Sequence, residues 1–587
     1  MAKAEQKVDL GAMRHSCAHV LAQAVLEMFP EAKLGVGPAI EDGFYYDFEL
    51  PRTLIPEDLP LLEKKMKQIV KQAQTFVGRE EPAKKAVSFL KGAGQPFKAE
   101  LAQQFSEEGQ KITFYENVMP GTGKPMFVDL CRGGHLEHTG KIGPFKLLKI
   151  AGAYWKGDEN RPMLQRIYGT CWPAQKELDD YIFQLEEAKK RDHKVLGKQL
   201  RLFTFSPLVG GGYPLFLPKG AQVLETLSEY IMGVKKRNGY SFVRIPHVAK
   251  EELYIRSGHL GKYDAMMPVM ETSEGDRYVM KPMNCPHHFE IYNSEMHSYK
   301  DLPLRYAENT AVYRNEKSGE VHGLFRVRSI TQDDTHHFVR HDQIESEIEM
   351  ILGITQELYE KFGFSNYKAQ ISVRDPEKPE KYFGDDKLWK RAEEKLVKCA
   401  EKWGHEYFIE QGEAAFYGPK IDVMVKDALG REWQLTTVQL DFVQPENFDM
   451  KYVGEDGKEH RPAVVHVAIF GSFERFLGIL IEHYAGAFPA WLAPVQARII
   501  PVGADFFGYA EKIYGQLRES GVRVEWDDSR DSLGKKIRNA EREKIPYMLV
   551  VGDKEQKEKN VTVRNYADKK QETMEIDRVM PNLFRHL

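Results

Sequence analysis

Along Leu304–Phe338, LRYAENTAVYRNEKSGEVHGLFRVRSITQDDTHHF, two stretches with strand-like alternation flank the polar, glycine-containing connector NEKSGEVHG. This pattern predicts an antiparallel hairpin with a long loop. A period of two places Arg326, Arg328, Ile330, Gln332, Asp334 and His336 on one face, with Phe325 and Val327 on the other. Taken alone, such a face is an ordinary solvated one, since antiparallel sheets often have a wet side. The other arm, however, ends in Tyr313-Arg314-Asn315-Glu316, and clustered arginines suit a polyanion such as a nucleotide phosphate. Past the arginines the face turns to amide, carboxylate and imidazole. The strand therefore predicts a positive end and a chelating end, for two substrates to be joined.

The same patterning divides the rest of the chain. RHSCAHVLAQAVLEMF has helical apolar spacing, with His15 and His19 four apart on one face, and FVDLCRGGH supplies Cys131 and His135 at the same interval. One such pair is usually structural; two in one domain can supply four zinc ligands, and the spacing leaves metal and metal-free chemistry open. Residues 173–200 are charged with helical apolar positions and predict a linker helix. Val223, Leu227, Tyr230, Ile231 and Val234 form a helical stripe that stops at Asn238-Gly239, before a short strand ending at Pro246. AAFYGPKIDVMVKD and REWQLTTVQLDF alternate as strands, and VVHVAIFGSFERFLGILIEHYAGAFP predicts a strand, a Gly471-Ser472 turn and a helix. From Val495, three strands alternate with two helices, the pattern of a small three-layer α/β domain.

Composition narrows the class. A length of 587 residues with 42% hydrophobic content suggests about three or four domains. The start lacks the apolar core of a signal peptide, and no apolar run approaches the ~20 residues that span a bilayer, so the expected location is the cytosol, with no membrane partner. Five scattered cysteines argue for thiols or metal ligands over a disulfide framework. A net charge of −4 gives no global attraction to nucleic acid, which leaves local basic patches such as EEAKKRDHKVLGKQLR and SLGKKIRNAEREK as RNA contacts.

YRNE followed by an arginine on the return strand resembles motif 2 of the class II aminoacyl-tRNA synthetases, and RVRSITQDDTHHF resembles their threonyl branch. The resemblance covers nearly the whole chain and implies a multidomain α+β and α/β protein. Its expected parts are an editing domain over 1–172, a linker helix over 173–200, a catalytic domain over 201–494 with an antiparallel sheet flanked by helices, and an anticodon-binding domain over 495–587. The usual small N-terminal ubiquitin-like domain is expected to be lacking. Similarity of HSCAH and CRGGH to the branch's editing domain implies that His15, His19, Asp129, Cys131 and His135 line a hydrolytic pocket; the branch more often has proline where Gly134 stands. Matches in the catalytic domain imply Cys285, His336 and His466 as ligands of one zinc ion, which in the family binds the amino group and hydroxyl of threonine. Three protein ligands leave zinc with open positions, the arrangement of working sites.

By the same resemblance, Arg314 bridges the α-phosphate and the amino-acid carboxylate, with Arg326, Arg475 and Mg²⁺ on the other phosphates. Arg475 falls in the first turn of its helix, where the dipole disfavours a cation unless an anion is bound. Glu316, Gln332, Lys420, Gln434 and Thr437 are implied beside ATP, and Asp334, Tyr417, Gln439 and Ser472 around threonine. His259 matches a histidine near the acceptor ribose, a base needing only a modest pKa adjustment, and Glu555 and Arg564 match anticodon contacts. The motif 1 resemblance of the Val223–Val234 helix implies a homodimer, although an amphipathic core helix has the same pattern. Ile330 replaces the usual aromatic over adenine, and Val467 a frequent arginine. The implied activity is ATP-dependent activation of L-threonine, its transfer to tRNA(Thr), and hydrolysis of mischarged seryl-tRNA. Competing readings are a prolyl or seryl synthetase, a silent tRNA-binding regulator that should have lost motif arginines, and an editing hydrolase that fits only the first 170 residues.

Overall fold

A computed structural model describes residues 9–261, 263 and 265–584. The chain forms two compact units, Met1–Glu186 and Glu187–Leu587. In the first, helix α1 (Leu10–Met28) is apolar over most of its circumference and is buried from Met13 to Val25 except at His15. It packs with Phe44, Tyr46, Phe48 and Ile167 of a five-stranded antiparallel sheet. A separate three-stranded antiparallel sheet, Thr75–Glu80, Thr113–Val118 and Pro125–Leu130, leads to Cys131.

The segment expected as one linker helix is two, α2 (Gln175–Arg191) and α3 (His193–Gln199). Asp192 makes the break: its carboxylate accepts from the Lys194 amide at 2.7 Å, starting a new helix where the old one would have continued. The division between units falls inside α2, after Glu186.

The second unit is built on helices α4 (Pro218–Arg237), α5 (Cys285–Asn293), α6 (Ile344–Lys361) and α7 (Phe473–His483) and an eight-stranded sheet. Its strands include β1 (Leu304–Tyr313), β2 (Ser329–Val339), β3 (Tyr367–Val373), β4 (Lys420–Lys426), β5 (Glu432–Asp441) and β6 (Ala463–Ala468). The spatial order is Ser241–Phe242, β1, β2, β6, β5, β4, β3, Tyr407–Gln411, antiparallel except for the parallel pair at each end. The strand expected to run to Pro246 is only Ser241–Phe242. Val223, Leu227, Ile231 and Val234 of α4 join Ile348 and Ile351 of α6 and Val438, Leu440, Val465 and Val467 of the sheet in one hydrophobic core. The opposite residue parity on the central strands is left for chemistry. Residues 495–584 form a second sheet, in the order Val524–Trp526, Ala497–Pro501, Tyr547–Val551, Asn560–Asn565, Gln571–Glu575, with separate apolar clusters on its two faces. This is the three-layer arrangement expected. Among the described residues, no helix is long and apolar enough to cross a membrane.

One buried pair locks α4 to the sheet. Lys235 Nζ donates to the Asp333 carbonyl at 2.5 Å and lies 3.4 Å from its carboxylate, with both side chains wholly inaccessible. The Asp333 carboxylate also accepts from the Ile469 and Phe470 amides, each at 3.0 Å, which fixes the backbone just before the α7 turn. Removing the cation leaves a buried carboxylate short of a partner, so Lys235→Met is expected to cost roughly 3–5 kcal/mol in denaturant unfolding. An unfolding midpoint equal to the parent's would contradict the pairing.

Candidate active site

Strand register decides what the cavity of the second unit holds. Across β2 and β6, His336 stands opposite His466 and Asp334 opposite Ala468; across β5 and β6, Gln439 stands opposite His466. The open face over these residues is a cavity of about 550 Å³, whose lining includes Cys285, Arg314, Glu316, Arg326, Ile330, Gln332, Asp334, Tyr417, Gln434, Thr437, Gln439, His466, Ser472 and Arg475. The predicted strand face holds from Ile330 onward. It fails before that, because β2 begins only at Ser329 and residues 322–326 form a turn closed by a bridge between His322 and Arg326. Period two does not apply there, so Phe325 and Val327 line the cavity beside Arg326, while Arg328 turns away to the carbonyls of Glu316 and Gly211.

At the chelating end, one donor atom each from Cys285, His336 and His466 lies within 4.8 Å of the other two. Cys285 arrives at the start of α5, where Pro286 has no amide hydrogen to waste in the first turn. Nδ1 of His336 lies 2.8 Å from Nδ1 of His288, and Nε2 of His466 lies 2.9 Å from the Asp441 carboxylate. Each ring is thus oriented through one nitrogen, while His336 Nε2 and His466 Nδ1 are buried with no partner. Burial, with His288 and His466 nearby, holds the His336 pKa well below its usual value, so the ring is the neutral imidazole that ligates. Burial and the neighbouring Asp334 and Asp441 push the Cys285 thiol up, and only a cation beside it would favour the thiolate. A soft, closely spaced S/N/N donor set with two orphaned nitrogens fits zinc.

At the positive end, Arg314 Nε and Arg475 Nε are buried without partners, and among the described residues neither guanidinium has a carboxylate within ion-pair reach. Arg475 stacks 5.6 Å from the Trp433 ring centre, and burial together with Arg326 weakens its hold on its proton. Two cations with no ion pair among the described residues, facing one cavity, can hold an anion there. Arg326 is different, since Glu316 holds it at 2.9 Å. Ser472 caps α7, accepting from the Arg475 amide at 3.1 Å. Tyr417 donates to Gln439 at 2.6 Å, and Asn284 donates to Asp334 at 2.9 Å.

Lys420, Gln434 and Thr437 converge on Asp422, a wholly buried carboxylate that sequence reasoning missed. Lys420 is an ion-pair partner of Asp422 and is not among the cavity's lining residues. A β-bulge explains how Gln434 and Thr437, of opposite parity, share a face: Asp422 pairs with Thr437 but Met424 with Gln434. His259 also departs from expectation. It is 1% exposed, its Nδ1 is 2.7 Å from Ser257 Oγ, and burial, His466 and Arg314 lower its pKa to about 4, well beyond a modest adjustment.

Three family models match: the class II core domain of the G, H, P, S and T tRNA synthetases over residues 269–484, the anticodon binding domain over 496–584, and the threonyl and alanyl tRNA synthetase second additional domain over 114–168. The threonine–tRNA ligase of Geobacillus sp. (strain WCH70) is 48% identical over 570 residues, 97% of this chain and 87% of the relative. The chain belongs to the threonine–tRNA ligase family. Threonine–tRNA ligase 1 of Bacillus subtilis (strain 168) is 47% identical over 96% of this chain and 87% of its own length. Among solved structures, the RNA binding domain of threonyl-tRNA synthetase from Cryptosporidium parvum Iowa II has a TM-score of 0.64 at 34% identity, covering 67% of this chain and 97% of that one. Giardia lamblia prolyl-tRNA synthetase, at 18% identity and a TM-score of 0.53 over 66% of this chain and 76% of that one, shares the fold.

In the first unit of this ligase, His15, Cys131 and His135 come together, with Cys131 Sγ 3.3 Å from Nε2 of each histidine. His19 is outside that trio, its Nδ1 taken by Asn117 at 3.1 Å and its Nε2 3.9 Å from Asp129, so a four-ligand set is not assembled. Asp129 is anchored by buried Lys98 at 2.8 Å, a residue with no local pattern to single it out. Burial lowers the pKa of His15, takes His19 to about 3 and His135 to about 2, and all three rings are neutral at pH 7. Gly134 has φ +82°, which a proline, fixed near −65°, does not reach. Glu555 accepts from the Gly552 amide and the Thr562 hydroxyl, and Arg564 donates to Glu541 at 2.9 Å, so both expected anticodon contacts are tied within their own domain.

Burial raises the Cys131 thiol to about 11. Its thiolate fraction at pH 8 is therefore lower than a free cysteine's by about two orders of magnitude, and alkylation by iodoacetamide, followed by peptide mass spectrometry, should be slower by that factor. Alkylation at the free-cysteine rate would contradict the buried, neutral cluster.

Proposed function

We propose that the cavity of the second unit binds ATP and L-threonine side by side, forms threonyl-adenylate, and passes the threonyl group to the terminal ribose of tRNA(Thr). The observation that carries this reading is the pair of guanidiniums, Arg314 and Arg475, that make no ion pair among the described residues and line the same cavity as Cys285 and His466 of the Cys285–His336–His466 donor set. In the first step a threonine carboxylate oxygen attacks the α-phosphorus in line, and pyrophosphate leaves. Arg314 neutralises the carboxylate and α-phosphate together; Arg326 and Arg475, with Mg²⁺, take the charge of the departing phosphates. In the second step a ribose hydroxyl attacks the adenylate carbonyl and AMP leaves. His259, neutral and with a free Nε2, orients that hydroxyl as an acceptor. Glu316, Gln332, Gln434 and Thr437 face the nucleotide, with Lys420 bracing Gln434 and Thr437 through Asp422; Ile330 packs on adenine.

Cys285, His336 and His466 would hold a zinc ion, which would supply an electrophilic centre for the amino group and side-chain hydroxyl of threonine. Asp334, Tyr417 and Gln439 orient the same ligand, and Ser472 sets the α7 turn beside it. A site built to hold a hydroxyl rejects valine by roughly 10⁴–10⁵, but it disfavours serine, smaller by one methyl, by only about 10–200-fold. Hydrolysis of seryl-tRNA by His15, His19, Asp129, Cys131 and His135 in the first unit makes up the difference. The domains divide as 1–172 for editing, 173–200 as connector, 201–494 for catalysis and 495–587 for anticodon binding, through Glu555 and Arg564. Assembly as a homodimer belongs to the same reading, supported by the half-exposed Phe242 on the short edge strand beside α4. The working compartment is the cytoplasm.

Two variants separate the two sites. Cys285→Ser is expected to lose bound zinc and threonine-dependent ATP–pyrophosphate exchange together, measured by metal analysis and exchange assay; full exchange in metal-free protein would refute the pocket. His15→Ala combined with His19→Ala is expected to leave threonylation at the parental rate while seryl-tRNA accumulates. Parental rates of seryl-tRNA hydrolysis in that double variant would refute the editing assignment.

A further inference from the structure

His193 opens α3, away from the cavity, with its side chain wholly buried. Its Nδ1 lies 2.7 Å from Glu482 Oε1, and its backbone amide donates to the same oxygen at 2.9 Å. Its Nε2 lies 3.0 Å from the Leu324 amide nitrogen. An amide N–H can only donate, so Nε2 carries the lone pair and Nδ1 the proton, which it gives to Glu482. Asp192, His193 and Glu482 offer donors within 4.8 Å of one another, but with both imidazole nitrogens engaged the cluster is a strut and not a metal site.

What the strut connects matters. Glu482 belongs to α7, the helix that carries Arg475 in its first turn; Leu324 belongs to the turn that carries Phe325 and Arg326. Glu482 also accepts from Arg431, whose partner Asp427 holds the Trp433 indole at 2.8 Å. Trp433 lies against both cation-bearing elements, 4.5 Å from the Phe325 ring and 5.6 Å from the Arg475 guanidinium. The Phe325 ring is itself 4.1 Å from the His193 ring. The turn is fitted closely to the imidazole: Gly323 has φ +51°, and a Cβ there would come within 2.1 Å of Nε2. Arg326 and Arg475 repel each other across the cavity, so their spacing needs such a restraint until an anion lies between them.

We infer that His193 is a positioning residue for ATP: by bridging Glu482 and the Leu324 amide, it holds Arg326 and Arg475 at the separation that one polyphosphate spans. The inference rests on the nucleotide reading of the cavity proposed above. Of the residues proposed around threonine, Asp334, His336, Gln439 and His466 stand on β2, β5 and β6, Cys285 on α5 and Tyr417 before β4, outside the turn and the helix that the strut joins; Ser472 alone borders α7.

The test is ATP–pyrophosphate exchange by the full chain with ATP and threonine varied separately. His193→Asn places its amide donor near the Nδ1 position and has no acceptor for Leu324; His193→Gln reaches the Nε2 position with its carbonyl. The Asn variant is expected to raise KM for ATP about tenfold with KM for threonine within about twofold of the parent, and the Gln variant to restore ATP binding to within about twofold. A parental ATP KM in the Asn variant, equal rises in both KM values with a lowered melting temperature, or a Gln variant no better than Asn would overturn the inference. Arg326→Ala, assayed alongside, distinguishes the failures: a raised ATP KM there but not in His193→Asn removes the strut alone, and no rise in either removes the nucleotide reading itself.

Discussion

The pairing of β2 with β6 is the constraint on which the rest depends. His336 faces His466 across that ladder, and the alternation of strand side chains sends their neighbours Thr335, Val465 and Val467 toward the core. A slip of one residue would exchange the two sets, burying imidazoles among helix side chains and opening valines to the cavity. The hydrophobic core and the donor cluster are therefore specified by the same register. The Asp333–Lys235 pair reinforces it from behind, tying the odd face of β2 to α4 and to the backbone that precedes α7.

That arrangement lets distant segments meet. Cys285, His336 and His466 are far apart in sequence, and Arg314, Arg326 and Arg475 come from a strand end, a turn and a helix start, yet a single sheet face gathers all of them except the thiol, which α5 delivers. The proposed chemistry needs little beyond this gathering. Cations are already placed where phosphate charge develops, and two imidazole nitrogens are already aimed at a shared point. The first unit likewise gathers three uncharged histidines around a protonated thiol.

Much of this was legible from the chain because its patterns are local. The hairpin, the α4 stripe and the alternating C-terminal domain follow from residue periodicity, and the membership in the class II family from the motifs on β1 and β2. What escaped had non-local causes. The bulge that brings Gln434 and Thr437 to one face depends on how β4 pairs with β5. Asp422, Asp441, His288 and Lys98 are ordinary polar residues in sequence, and they acquire roles only by burial next to the groups they hold. The break in the connector was visible in Asp192, a helix-capping residue type inside a charged run, and period counting passed over it.

One sulfur and two imidazoles are proposed to share a single ion beside the cavity proposed for ATP. X-ray absorption at the zinc edge, on protein loaded with one equivalent of zinc, tests it directly. The predicted spectrum shows one sulfur at about 2.3 Å and two imidazole nitrogens at about 2.0 Å, with additional nitrogen or oxygen scattering when threonine is added. A shell without sulfur, or one unchanged by threonine, would contradict it.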